Sequence, residues 1–407
     1  MKGRFFLLPS PHFFVRKYMK HGSFPVGIFL IYMLFFGGNA IYSTYLNLYM
    51  ASIGFSQSQI GITVSVSTFF VLLAQMFWGF ASDRAKLKNT IIHFLFISSA
   101  VIILLFYISK AYWFVFAIIA LFASFYTGVS PLMDSVVLEI SRDKTWNYGQ
   151  IRTGGTIGYC ITVLFIGLVI NGKYASIFLM SSSAMLICFF LSLHMPHVQG
   201  YGMSRKKTPF RVLFKNKQLM ALFAFYLAFS MGLSFFYSFY SIYFVSIGGT
   251  SSLVGVMMFF CAITEIPCLV LADRVVKRFG VEKVLIVSGI VTSIRWLLLF
   301  VLRDPVLIIV ANLLHGPGYI GFSYCIVTYI GEHVPEDLRA TSQSFNVLVG
   351  NVFSRMVFGY IGGLASEMLG ANNIMLAACT TMVSATTLFA FWSLRHHRIK
   401  EDSDCKV

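Results

Sequence analysis

Charge is what this chain has least of. Of its 407 residues, 11% are Asp, Glu, Lys or Arg, against roughly 25% in a soluble protein. A water-facing surface cannot be assembled from so few charges, which excludes soluble enzymes and disordered tails. Acids are scarcest, with 15 Asp and Glu against 31 Lys and Arg. The seven cysteines show no CxxC or CxxxC spacing, and six of them lie in apolar runs, where they read as small hydrophobes. A metal centre and a disulfide scaffold are therefore not expected. No Ser-His-Asp or Cys-His cluster and no Walker A motif is visible. The expectation is a protein that is not an enzyme, carries no cofactor and does not drive transport with ATP by itself.

What is present is apolar. Hydrophobic residues make up 57%, including 43 Phe and 20 Tyr, and the mean hydropathy is +0.79. A helix needs about 20 mostly apolar residues to cross a bilayer. Twelve such runs occur, at 26–48, 58–80, 90–109, 112–138, 147–170, 174–194, 219–247, 252–272, 283–302, 305–330, 341–364 and 372–394. They are too long and too uniformly apolar for the alternating strands, about 10 residues each, of a membrane barrel. The fold class expected is an all-α polytopic membrane protein with twelve transmembrane helices in two six-helix bundles. The run after the basic N-terminal residues has spanning length, so no cleavable signal peptide is read there.

The basic residues sort by side. An even number of spans places both termini together. Twenty-five Lys and Arg then fall on the side of the termini, among them Arg84, Lys86, Arg142, Lys144, Arg205, Arg274 and Lys277. The opposite side holds Lys110, Lys173 and Arg303. The excess marks the first side as cytoplasmic. The net charge of +16 is thus a topology signal rather than a nucleic-acid footprint, and the basic face suits anionic lipid. The expected location is the cytoplasmic (inner) membrane of a bacterium, and the expected unit is a monomer.

The longest polar stretch divides the chain. Residues 1–25 form a cytoplasmic N-terminal segment, 26–195 a first bundle, 196–218 a basic linker, 219–394 a second bundle and 395–407 a cytoplasmic tail. A repeat supports this division. Span two ends at Asp83-Arg84 and span eight at Asp273-Arg274, 190 residues later, each followed by further basic residues. Parallel six-helix halves suggest alternating access. The two Asp-Arg pairs are expected to link cytoplasmic helix ends as a gate, or else to be plain juxtamembrane charge pairs.

These features resemble the major facilitator superfamily. Gly79–Lys88 is similar to its loop after span two, without the second glycine. The closer resemblance is to lactose-permease-like proton symporters, a group that includes nucleoside and phenylpropionate permeases. It rests on Gly61-Ile-Thr with Gly79-Phe-Ala-Ser-Asp83-Arg84, on Asn147-Tyr-Gly149-Gln-Ile-Arg152 with Gly155 and Gly158-Tyr159, on Ser293-Ile-Arg295 and on Leu314-His315. Thr264-Glu265-Ile-Pro267, Leu314-His315-Gly316 and Leu338-Arg-Ala-Thr-Ser-Gln343 look more like the nucleoside and phenylpropionate branch.

Ionisable residues inside a bilayer cost several kcal/mol, so each is a functional candidate. The resemblance implies that Asp134 and Arg152 face each other and hold substrate. An Arg fork donates to hydroxyl or carboxylate oxygens and Asp accepts from hydroxyls. A purely structural pair is the alternative. Tyr159, seven residues after Arg152, would stack on a sugar face. Glu265 is the single acid inside the last six runs, followed by Pro267. Its readings are proton coupling, substrate contact, or a fixed pair with Arg295 or Arg355. Arg295 and His315 match positions of the related permeases that take part in proton coupling. Those permeases carry their proton-translocating glutamate three residues after the histidine, where this chain has Gly318. The role then falls to Glu265 or Asp134, or the protein is not proton-driven. Gly316-Pro317-Gly318 is expected to act as a hinge in span ten. Arg355 calls for a partner, with Glu265 the obvious one, or for an anionic substrate. Asn39, Tyr42, Tyr45, Tyr126, Tyr237, Tyr240 and Tyr243 supply candidate cavity hydrogen bonds. The reading is proton-coupled uptake of a small polar solute, a sugar, oligosaccharide or glycoside. The alternatives are a nucleoside or aromatic acid, drug efflux, or a sensor or lipid-handling protein on the same scaffold.

Overall fold

The computed structural model describes residues 24–141, 146–198, 217–334 and 336–404. Most of the N-terminal segment, Arg142 and Lys144, linker residues 199–216 and the last tail residues, Lys406 included, lie outside the described residues. Among the described residues, eleven helices are long and apolar enough to cross a membrane. In chain order they are α1 (Val26–Ser52), α2 (Gln57–Arg84), α3 (Lys88–Tyr107), α4 (Tyr112–Ile140), α5 (Tyr148–Ile170), α7 (Gln218–Ser246), α8 (Ser251–Phe279), α9 (Val281–Val301), α10 (Pro305–Glu332), α11 (Thr341–Leu369) and α12 (Ala371–Arg395). Between α5 and α7 lies α6 (Ser176–Ser192), apolar but shorter. All twelve expected runs are therefore helical. The chain is an integral, multi-pass membrane protein, and no strand occurs among the described residues.

Local chemistry sets the helix ends. Asn147 and Gln150 form a reciprocal capping box at the start of α5, each side chain bonded to the other's backbone N–H at 3.0 Å. This satisfies two donors that a helix start leaves unpaired, and it fixes Arg152 within the first turn and a half. Ser56 and Gln59 do the same for α2. Gly280 and Gly370, at φ 83° and 82°, let α8 turn straight into α9 and α11 into α12, a backbone shape that other residues resist.

Within the first half, α1 packs on α5 and α6, α2 on α4, and α3 on α4 and α6. Within the second, α8 and α9 pack on α10, α9 on α12, and α7 on α11 and α12. The halves meet along α2–α11 and α5–α8. Small residues make these seams, as membrane packing favours, because lipid supplies no hydrophobic drive between helices. Gly61 lies against the Gly359 carbonyl and Gly363, and Gly255 against the Val163 carbonyl. Hydrogen bonds add to the seams. Ser58 donates both its N–H and its hydroxyl to Glu367, Tyr45 donates to the Ser251 carbonyl at 2.9 Å and Asn47 to the Ser238 carbonyl at 2.7 Å. These contacts lie at the end of the molecule opposite Asp83 and Asp273.

Three irregular turns interrupt the spans. Phe236–Tyr240 in α7 and Leu348–Phe353 in α11 are π-helical. Asn312–Leu314 in α10 is a tight 3-10 turn. The last corrects the expected hinge: the break precedes Gly316-Pro317-Gly318. Pro317 lacks an N–H and crowds the carbonyl four residues back, so the disturbance falls at Leu313. The glycines themselves are contact points. Gly316 lies against Thr264, and a Cβ on Gly318 would meet Thr292 Oγ1 at 2.6 Å.

Candidate functional site

A cavity of about 490 Å³ opens between the two halves of the chain. Its walls come from α1 (Asn39, Ser43, Thr44), α5 (Arg152, Thr156, Tyr159), α7 (Ser230, Ser234, Tyr237), α8 (Cys261, Glu265), α10 (Tyr319) and α11 (Asn351, Arg355). Both π-helical turns border it. Such turns recur at functional sites because the extra residue redirects side chains. Here Tyr237 and Asn351 reach the cavity from within them.

One end of the site is a hydrogen-bonded trio. His315 Nε2 lies 3.2 Å from Glu265 Oε1 and 3.3 Å from the Tyr237 hydroxyl. The imidazole is almost fully buried and stacks on Tyr319 at 5.4 Å. Glu265 is therefore paired with His315, and not with Arg295 or Arg355. Arg295 lies outside the cavity lining. Its Nε and Nη2 both donate to Asn312 Oδ1, at 3.1 and 2.7 Å. Its guanidinium sits 4.3 Å from the Phe236 ring centre and 4.5 Å from that of Trp296. An amide oxygen and two ring faces thus hold this cation without a carboxylate.

The Arg152 guanidinium carbon lies over Phe36, 3.9 Å from the ring centre. Packing places it there: α5 touches α1 through Gly154, Gly155 and Gly158, with Gly158 against the Met33 backbone. The expected Asp134–Arg152 ion pair does not form. Asp134 accepts a hydrogen bond from the Tyr32 hydroxyl at 2.6 Å, and Tyr148 lies within interaction range of both residues. Tyr32 had no sequence signal, since its role depends on how α1 meets α4. The ion pairs among the described residues are Lys88–Glu139, Lys277–Asp273 and His315–Glu265, and neither Arg152 nor Arg355 belongs to one.

The remaining candidates are placed as follows. Asn39 and Tyr159 line the cavity; Tyr126 and Tyr240 do not. Tyr126 is packed between Phe35 and Phe122 and donates to the Phe35 carbonyl at 3.3 Å. Tyr240 donates to the Leu299 carbonyl at 3.3 Å. Asp83, Arg84, Asp273 and Arg274 are all exposed. No ion pair among the described residues joins the two Asp-Arg pairs; Asp273 bonds Lys277 of its own helix at 2.8 Å. The cavity hydroxyls of Ser43, Thr44, Thr156, Ser230, Ser234 and Tyr319 were not singled out by sequence, being common residues with no distinctive spacing.

Twelve apolar helices among the described residues surround a central cavity, and comparison with known proteins decides the family. A sequence model of the MFS_1-like family matches residues 27–393. The chain belongs to that family. This major facilitator protein is 26% identical over 311 residues to the uncharacterized transporter YwbF of Bacillus subtilis (strain 168), covering 76% of this chain and 78% of the relative. It is 26% identical over 376 residues to the maltose permease of Geobacillus stearothermophilus, covering 88% and 91%. In fold it is similar to the crystal structure of the nucleoside transporter NupG, with a TM-score of 0.78, 18% identity, and coverage of 90% of this chain and 98% of that one. It is a transporter-family protein, not an enzyme.

Proposed function

We propose that this major facilitator protein is a secondary active transporter. It takes up a small polar solute, a sugar, oligosaccharide or glycoside, together with a proton, across a bacterial cytoplasmic membrane. The two halves of the chain act as six-helix bundles that rock about the cavity, with both termini cytoplasmic. The observation that carries this reading is the Glu265–His315–Tyr237 cluster, set in a cavity walled by both halves.

The cluster has two arrangements that differ by one proton. With Glu265 ionised, His315 donates Nε2–H to its carboxylate. With Glu265 protonated, its O–H donates to Nε2 and the imidazole proton moves to Nδ1. A conformational change that exposes Glu265 first to one side and then to the other would carry that proton across. At Gly318, where the related permeases carry that glutamate, a Cβ would meet Thr292 Oγ1 of α9 at 2.6 Å, so a longer side chain there needs Thr292 to move. The seams near Ser58–Glu367 and Gly255 close one end, which on this topology is the outer one. The exposed Asp83–Arg84 and Asp273–Arg274 then mark a disengaged cytoplasmic gate.

Two observations rank the alternatives. Tyr159, Tyr237 and Tyr319 together on the cavity wall would also suit a nucleoside base or aromatic acid, since planar rings stack on tyrosine. Efflux of cationic drugs fits poorly with two cavity arginines that form no ion pair among the described residues. The test is uptake of labelled maltose, nucleosides and aromatic acids in proteoliposomes, with and without an imposed proton gradient. Accumulation should collapse with an uncoupler. Glu265→Gln should abolish accumulation while sparing exchange of substrate down its gradient. Accumulation unaffected by the uncoupler, or retained by Glu265→Gln, refutes proton coupling through this site.

A further inference from the structure

We propose that the cavity selects an anionic solute, a hydroxylated compound whose carboxylate or phosphate oxygens are held between Arg152 and Arg355. The proposal rests on the transporter reading and narrows its substrate class. Counting charges over all spans gives three arginines against two acids. The geometry gives a different sum at the site itself. Arg295 is held by Asn312 away from the cavity, and Asp134 is held by Tyr32 outside the lining. What faces the solute is Arg152, Arg355 and Glu265. Glu265 is already bonded to His315.

Arg355 is the decisive residue. It lies fourteen residues from either end of α11 (Thr341–Leu369). Arginines near helix ends reach the lipid headgroups with their long side chains, but one at the centre has no such exit. It forms no ion pair among the described residues, and it lines the cavity on the half opposite Arg152. Two like charges around one space of about 490 Å³ repel each other and any cation that enters. An oxyanion relieves both. Arg152 suits this role: its guanidinium carbon lies 3.9 Å from the Phe36 ring centre, and a planar guanidinium forks onto carboxylate or phosphate through its N–H groups. Thr156, Tyr159, Ser234, Tyr237 and Asn351 remain to bond solute hydroxyls.

The test measures binding to the purified full-length protein in nanodiscs by calorimetry. It uses pairs that differ in one anionic group: phenyl glucuronide against phenyl glucoside, and glucose 6-phosphate against glucose. At least one anion should bind about tenfold or more tighter than its neutral partner, as expected of a bidentate guanidinium contact. The pair showing the largest ratio separates a carboxylate from a phosphate. Arg355→Gln should reduce that ratio to about twofold or less, and Arg355→Lys should keep part of it. Should Arg355→Gln fail to fold, Asn351→Asp places a carboxylate on the cavity wall one turn from Arg355 and should likewise cancel the preference. Neutral members binding as tightly as the anions, no anion binding at all, or a ratio unchanged by both variants overturns the proposal. Anion binding without uptake would leave this assignment standing and remove the transport reading. Uptake of a neutral glycoside with equal affinity for its acid does the reverse.

Discussion

Gly158→Ala tests whether backbone contact between α1 and α5 sets the cavity wall. A Cβ built on Gly158 falls 2.6 Å from the Met33 carbonyl carbon and 2.8 Å from its Cα, with the carbonyl oxygen closer still. Unbonded carbons rest at about 3.5–4.0 Å, so α5 must retreat from α1 by roughly 1 Å. The obstacle is backbone, which cannot rotate aside as a side chain does. Overpacking of this kind costs about 1–3 kcal/mol or more, and about 1 kcal/mol lowers an unfolding midpoint by roughly 2–4 °C in a unit of 150–250 residues. The same retreat carries Arg152 off Phe36 and shifts Tyr159. A displacement of about 1 Å in a positioned group can cost on the order of 100-fold in function. Thermal unfolding in detergent and substrate binding should therefore fall together. Gly331→Ala is the control, because nothing lies within 4 Å of a Cβ there; it should be neutral or slightly stabilising. Gly158→Ala that matches Gly331→Ala in both assays would refute the reasoning.

Three further outcomes are expected. Gly318→Ala should lose about 1–3 kcal/mol of stability by colliding with Thr292, and Thr292→Ala should restore much of it at little cost of its own, since Thr292 Oγ1 is buried without a hydrogen-bond partner; additive effects in a double-mutant thermal series would contradict this. Lys88→Ala should cost about 1–3 kcal/mol, because the buried Lys88 ammonium holds Ser135 and Glu139 at 3.2 Å each, which unfolding in detergent will show. Tyr237→Phe should weaken substrate binding several-fold by removing a partner of His315, whereas Tyr240→Phe should leave affinity unchanged; equal effects on titrated binding would place Tyr240 in the site after all.

Length and apolarity made the spans legible. Twelve runs of spanning composition lie in helices, with the fifth run read as starting at 147 and α5 beginning at Tyr148. Phase was much harder to read. Tyr237, Tyr240 and Tyr243 recur every three residues on a helix that is apolar all round, so periodicity gave no preferred face. The π-helical turn over Phe236–Tyr240 then decides which of them looks inward, and nothing in composition announces such a turn. Charge pairing failed for a related reason. Sequence can count Glu265, Arg295 and Arg355, but the partners that matter, His315, Asn312 and Tyr32 for Asp134, are set by which helices touch. The displaced break in α10 could have been found, because a proline disturbs the carbonyl four residues before it.

The glycine seams have an energetic consequence. Along α2–α11 and α5–α8 the chain brings backbones into contact, with Gly61, Gly255 and Gly363 in place of interlocking large side chains. Contacts of this kind hold through proximity and a few hydrogen bonds, and they fill few deep pockets. Parting them strands little buried bulk and leaves few holes for lipid or water to fill. A joint built this way costs little to open and to remake, and where two shapes of a molecule stay close in free energy, a ligand that prefers one of them can shift the balance.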